Sequence, residues 1–146
     1  MDKKELVIQD IGNITSNLCN IGYLSVIEFH DGKIEYHISN NYNGWFDIYI
    51  QHRDNDCSLI ELAKNLLTLQ PENFRFIFWD NVEKSGSDIH KLRKKYNLYC
   101  GLSLLYKRKD GRSYCISGCS KKENDTSFTN GFRSIKDELI EVINNV

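Results

Sequence analysis

Apolar residues recur along this chain with two different periods, and the places where the period changes mark out its elements. Over residues 3–20, Val7, Ile11, Ile14 and Leu18 fall four, three and four apart, which places them on one face of an amphipathic helix that Gly22 would end. Residues 23–30 and 33–39 are strand-like, and Asp31-Gly32 between them is a strong two-residue hairpin signal. After the Asn/Gly-rich loop 40–44, helical spacing returns with Trp45, Ile48, Tyr49 and His52. Ser58 and Glu61 form a capping-box pattern ahead of Leu59, Leu62, Ala63, Leu66 and Leu67. This predicts a helix over about 59–69 that Pro71 closes.

The aromatic run from Phe74 to Trp79 reads as extended and is expected to be largely buried. Ser87 caps a helix through Ile89, Leu92 and Tyr96 that ends near Asn97. A second hairpin follows, with strands over 98–107 and 112–119 joined around Asp110-Gly111, and one last helix places Phe128, Phe132, Ile135, Leu139 and Val142 on a single face. Two hairpins separated by helices, with helices at both ends, predict an α/β chain of the α+β class, its antiparallel sheet lying between helical layers. No linker divides the sequence, so residues 1–146 read as one domain.

Composition narrows the function. The 19 Lys and Arg against 20 Asp and Glu leave a net charge of -1, so no global field draws in polyanions or an anionic membrane, and direct nucleic-acid binding is not expected. The local basic run Lys91, Arg93, Lys94, Lys95, followed by Lys107, Arg108 and Lys109, reads as a solvated helix face and hairpin tip. The first twenty residues lack an apolar signal core, and no stretch reaches the roughly 18 apolar residues of a membrane span. The expectation is a soluble, cytoplasmic protein. Its five cysteines are expected to be free thiols, and Cys115 with Cys119, lacking a second pair or a suitably spaced histidine, makes a poor metal site.

Catalytic motifs are missing from the sequence. It contains no nucleophile elbow, no phosphate loop and no dinucleotide fingerprint, and His30, His37, His52 and His90 are scattered. The expectation is a protein that is not an enzyme and uses no cofactor. Aromatic richness stands out instead, with two Trp, eight Tyr and seven Phe. Rings with a few polar tips suit an amphipathic-ligand pocket, and they equally suit a plain aromatic core.

The segment Tyr96-Asn97-Leu98-Tyr99-Cys100-Gly101-Leu102-Ser103, with its hairpin and the following Tyr114-Cys115-Ile116-Ser117-Gly118, resembles the autoinducer-binding sensor domain of LuxR-type transcription regulators. Gly101, Gly111 and Ser117 match that pattern without a gap. The resemblance implies a PAS-like α-β-α sandwich around a mainly antiparallel five-stranded sheet, with a small amphipathic ligand of acyl-homoserine-lactone type held between sheet and helices. It further implies that Asp56 accepts an amide N–H, that Trp45 and Tyr49 donate to carbonyls, that Trp79 packs over the head group, that Gly101 allows a close approach, and that Ser117 bonds the ligand directly or through water. Asp56 is followed by Cys57 where the family has proline. Where that family continues into a helix-turn-helix domain, this chain stops at Val146. The expectation is therefore a sensor in transcriptional or quorum-sensing regulation that acts through a homodimer or through a heterodimer with a related regulator. The alternatives are a ligand-free protein-protein interaction module or antagonist of a related regulator, and an enzyme with a dispersed Cys or His site.

Overall fold

The computed structural model describes residues 3–41, 44–52, 65, 66, 68–82 and 88–145. Helix α1 covers Lys3–Thr15, and the first hairpin joins β1, Ile21–His30, to β2, Lys33–Asn41. Asp31 and Gly32 both have positive φ, 50° and 76°, the turn that matches the twist of the strands and that glycine enters without strain. Helix α2, Trp45–His52, follows, and residues 65, 66 and 68 are helical. Strand β3, Phe74–Phe78, runs directly into the short helix α3, Trp79–Val82. Then come α4, Asp88–Lys95, the second hairpin of β4, Tyr99–Lys107, with β5, Ser113–Ser120, and the terminal helices α5, Thr126–Ser134, and α6, Lys136–Asn144.

Among the described residues the sheet has five strands in the order β2-β1-β5-β4-β3, and its pairings are all antiparallel. The hairpins meet at its centre, where β1 pairs with β5. Because strand side chains alternate between faces, every second residue goes to one of two layers. On the first face Leu24 and Val26 of β1, Leu102 and Leu104 of β4 and Ile116 of β5 pack with Ile11 of α1, Phe128 and Phe132 of α5, and Leu139 and Ile143 of α6. We call this the terminal-helix face. The opposite face receives α2, α4 and the segment around Leu66 and Leu69. The architecture is the α-β-α sandwich expected from the sequence.

Four local expectations need correction. Helix α1 stops at Thr15, where the Thr15 hydroxyl bonds back to the Ile11 carbonyl at 2.9 Å, and Gly22 lies inside β1. The aromatic run is not largely buried: β3 is an edge strand, Phe74 is 44% exposed, and only Ile77 is fully covered. The last helix is two helices, because Ile135 leaves helical geometry at φ -95°, ψ 11° while the apolar spacing carries on across the break. Finally, Arg93 does not belong to a solvated face. Lys91, Lys94 and Lys95 are exposed, but Arg93 is 1% exposed and paired to Asp80, its Nη2 at 3.0 Å from Oδ1.

The last helical layer is anchored at its start by Asp125. Its carboxylate accepts hydrogen bonds from the Phe128 backbone N–H at 3.0 Å, the Ser120 hydroxyl at 2.7 Å and the Asn20 side chain at 3.5 Å. Burial pushes this carboxyl up, but those three bonds, with Lys122 nearby, outweigh it and hold the group below the usual carboxylate range. A side chain that satisfies the first turn of α5 and a buried serine together fixes where the C-terminal layer begins.

Candidate functional site

The face opposite the terminal helices is assembled from positions that alternate with the core just described. On β1 these are Tyr23, Ser25 and Ile27; on β5, Cys119, Ser117 and Cys115; on β4, Gly101, Ser103 and Leu105; on β3, Ile77. Register lines them into rows across the sheet. Ile27 pairs with Cys115 and Cys115 with Leu105, whereas Ser25 pairs with Ser117, Ser117 with Ser103, and Ser103 with Ile77. Three serines on adjacent strands thus form a polar row, all of them buried.

Apolar side chains close both sides of this row. On one side Ile27, Leu105, Cys115 and Ile77 pack with Leu66 and Leu69. On the other, Tyr23, Leu98 and Cys119 pack with Trp45, and Trp79, Phe46, Ile48, Leu92 and Tyr96 lie against them. This face therefore holds two small apolar clusters divided by a seam of hydroxyls, and we call it the seam face.

Trp79 reaches the seam because β3 turns into α3 directly opposite Gly101. A Cβ on Gly101 would lie 2.4 Å from Cε3 and 2.6 Å from Cδ2 of the Trp79 ring, closer than real carbon contacts, so the indole lies against the strand only because residue 101 has no side chain. From there the indole N–H donates to Ser103 Oγ at 2.8 Å. Ser103 Oγ and Ser117 Oγ are 2.6 Å apart, and Ser117 Oγ lies 3.3 Å from Cys115 Sγ. Since Trp can only donate, Ser103 accepts from it, and its own hydrogen is available to Ser117.

Two further contacts set the electrostatics. The Arg93 guanidinium sits 5.4 Å from the centroid of the Trp79 ring while bonding Asp80, and the Tyr23 ring meets Trp79 edge-on at 6.4 Å. The cation over the indole face and the hydrogen bond at its edge hold the ring in one orientation. Burial pushes the Cys115 thiol up, although the Ser117 and Ser103 hydroxyls act in the other direction. A thiol so raised stays protonated at neutral pH, which suits a packed hydrogen-bonding group and not a nucleophile.

Of the residues expected to bind a ligand, Trp79, Gly101 and Ser117 come together at the seam. Trp45 lies in the adjoining cluster, 1% exposed, its ring 5.8 Å from that of Tyr96. Asp56 and the side chain of Tyr49 lie outside the described residues. Sequence reading missed Ser25, Ser103 and Arg93. The two serines could have been found by counting: each sits two positions from an inward-facing residue on a buried strand, Ser25 after Tyr23 and Ser103 after Gly101. Arg93 had no such local signal, since its partners Trp79 and Asp80 lie well before it in the sequence.

A concavity of about 170 Å³ opens at the surface beside the buried Arg93, lined by Asp80, Lys94, Tyr99, Cys100, Glu123 and Asn124. Its walls carry both signs of charge. Among the described residues no group of His, Cys, Asp or Glu is arranged to hold a metal ion, and no helix is long and apolar enough to cross a membrane.

No protein-family model and no curated sequence matches this chain. Among solved structures, it is similar to CepR2 from Burkholderia cenocepacia, an N-acylhomoserine lactone dependent LuxR family transcription factor, with a TM-score of 0.56 at 12% identity over 95% of this chain and 92% of that one. It is also similar to SdiA in complex with octanoyl-rac-glycerol, with a TM-score of 0.52 at 18% identity over 84% of this chain and 49% of that one. The chain thus spans about half the length of the SdiA chain. At these identities the shared property is the fold, and it is the autoinducer-binding fold of LuxR-type regulators that residues 96–117 resemble.

Proposed function

We propose that this chain is a sensor domain that takes a small amphipathic ligand on its seam face and acts in quorum-sensing or transcriptional regulation through a partner, without catalysis. The observation that carries the reading is the hydrogen-bonded series Trp79 Nε1, Ser103 Oγ, Ser117 Oγ, its two serines buried, lying between two apolar clusters. A fold that needed only stability would gain more from apolar residues at those positions, because buried hydroxyls must be matched bond for bond. A ligand with a polar head and an acyl chain uses both parts of such a face. CepR2 is N-acylhomoserine lactone dependent and SdiA is in complex with octanoyl-rac-glycerol, and both compounds have that form.

In this reading Ser117 and Trp79 face the head group, Gly101 keeps the indole against the strand, and Trp45 and Tyr49 donate to carbonyls. Asp56 supplies an acceptor for an amide N–H. Output passes through a homodimer or a heterodimer with a related regulator.

Native mass spectrometry of the purified protein, followed by thermal shift against N-octanoyl homoserine lactone and octanoyl-rac-glycerol, tests the proposal. A bound mass, or a midpoint that climbs with ligand concentration as linkage requires, supports it. Absence of both would abandon the sensor in favour of a ligand-free interaction module. Sedimentation that stays monomeric at high concentration, with and without ligand, would remove the dimer from the proposal.

A further inference from the structure

We infer that Arg93 is a positioning residue for the ligand site: its buried guanidinium holds the Trp79 indole on the seam, and affinity for the ligand depends on that hold. This rests on the sensor reading proposed above and deepens it by naming a residue that acts through another.

Among the described residues Arg93 is the one buried cation, 1% exposed. Its backbone is fixed where α4 gives way to β4. The Arg93 carbonyl accepts from the Tyr96 N–H at 3.1 Å and the Leu98 N–H at 3.2 Å, and Asn97 between them has a positive φ of 57°. From that anchored point the guanidinium reaches two consecutive residues at the start of α3. It donates to Asp80 Oδ1 at 3.0 Å and sits 5.4 Å from the centroid of the Trp79 ring. One planar group thus ties the junction of β3 and α3 to the junction of α4 and β4.

Stability alone does not call for a cation at this place. Taking a guanidinium out of water is costly, and exchanging a buried ion for apolar groups of similar volume is often neutral or stabilising. The Asp80 side chain is 61% exposed, so water screens part of the ion pair and would solvate the carboxylate if the guanidinium were removed. The indole is where the charge acts most directly, since it is the side chain that attracts a cation most strongly, and more so away from water. With the ring held, its N–H stays on Ser103 Oγ at 2.8 Å, and Ser103 Oγ stays 2.6 Å from Ser117 Oγ. A ring free to tilt would break the first of these bonds and leave the hydroxyls to be ordered by the ligand itself, at a cost in affinity.

The test compares Arg93→Met and Arg93→Lys with the wild type by two readouts. The first is the indole N–H resonance of Trp79 in the ligand-free protein, told from that of Trp45 by Trp45→Phe. The second is calorimetric affinity for N-octanoyl homoserine lactone and octanoyl-rac-glycerol. In Arg93→Met the resonance should move upfield or split as the bond to Ser103 loosens. Affinity for the probe that the wild type binds should fall about tenfold, the size of a desolvated cation–π contact. The ligand-free melting temperature should hold or rise. Arg93→Lys, which keeps the charge but not the flat guanidinium, should lie between the two in both readouts. A lower melting temperature in Arg93→Met with resonance and affinity unchanged overturns the inference and makes Arg93 a plain structural ion pair. A moved resonance with unchanged affinity overturns it as well, and both results leave the sensor reading standing. If Arg93→Met does not fold, Arg93→Lys decides, and equality with the wild type in both readouts overturns the inference. If neither probe binds the wild type, the sensor reading fails and takes the affinity claim with it, while the Trp79 resonance still decides whether Arg93 holds the ring.

Discussion

The terminal-helix face and the seam face are made from the same strands, yet they follow different rules. On the first, one continuous apolar core joins the sheet to α1, α5 and α6, and Asp125 and Ser120 sit at its margin with their hydrogen bonds made. On the second, apolar residues gather in two smaller clusters, and hydroxyls run between them at the middle of the sheet. The difference teaches where stability is kept and where it is given up. Three serines at the centre of a sheet are a poor choice for packing and a good choice for recognition.

The contrast can be broken by substitution, beginning with the largest effect. Phe132→Ala empties a fully buried site on the terminal-helix face and should cost about 3–5 kcal/mol, read by chemical denaturation, with ligand affinity of the remaining folded protein unchanged. A loss of affinity in the folded protein would mean that the faces are not independent. Gly101→Ala forces a carbon into the Trp79 ring; it should cost about 1–3 kcal/mol and shift tryptophan emission as the indole leaves Ser103. An unaltered spectrum would show that the ring does not depend on that glycine.

Asp125→Ala removes the first-turn cap of α5 and should lower stability by about 1–2 kcal/mol at neutral pH. The pH dependence has a definite sign. Because the folded protein holds this carboxyl below its usual range, its contribution is complete above the unfolded value of about 3.9 and is lost as pH falls through the lower folded value. The variant should therefore lose less stability than the wild type on acidification, measured by denaturation midpoints across that range. Ser117→Ala is the smallest in stability, below about 1.5 kcal/mol, and it sharpens the comparison most. It should nearly abolish the ligand-induced thermal shift while lowering the ligand-free midpoint only modestly, by the loss of the Ser103 hydroxyl's partner.

Much of this architecture was legible in the residues, and the reasons are physical. Asp31-Gly32 announces the first hairpin because few other pairs enter its two-residue turn without strain, and Gly111 takes a positive φ in the longer connection of the second. Gly101 and Ser117 were legible through a resemblance, and the indole that lies on Gly101 belongs to the tryptophan that the same resemblance named. What stayed hidden is non-local. The break at Ile135 is invisible because Phe132 and Leu139 keep a helical spacing across it. The exposure of Phe74 depends on β3 being an edge, which follows from strand order and not from its own composition. Arg93 sits in a run of lysines that looks like solvent-facing charge, and only the fold brings Trp79 and Asp80 to it.

The pairing of β1 with β5 also has a kinetic consequence. Each hairpin can form from neighbouring residues, but the junction that unites them joins strands from opposite ends of the chain, and closing so long a loop is the slow kind of step in folding. Ser25 and Ser117 face each other only across that junction. The serine row is thus completed only when that junction closes, and during synthesis this cannot happen until β5 has left the ribosome.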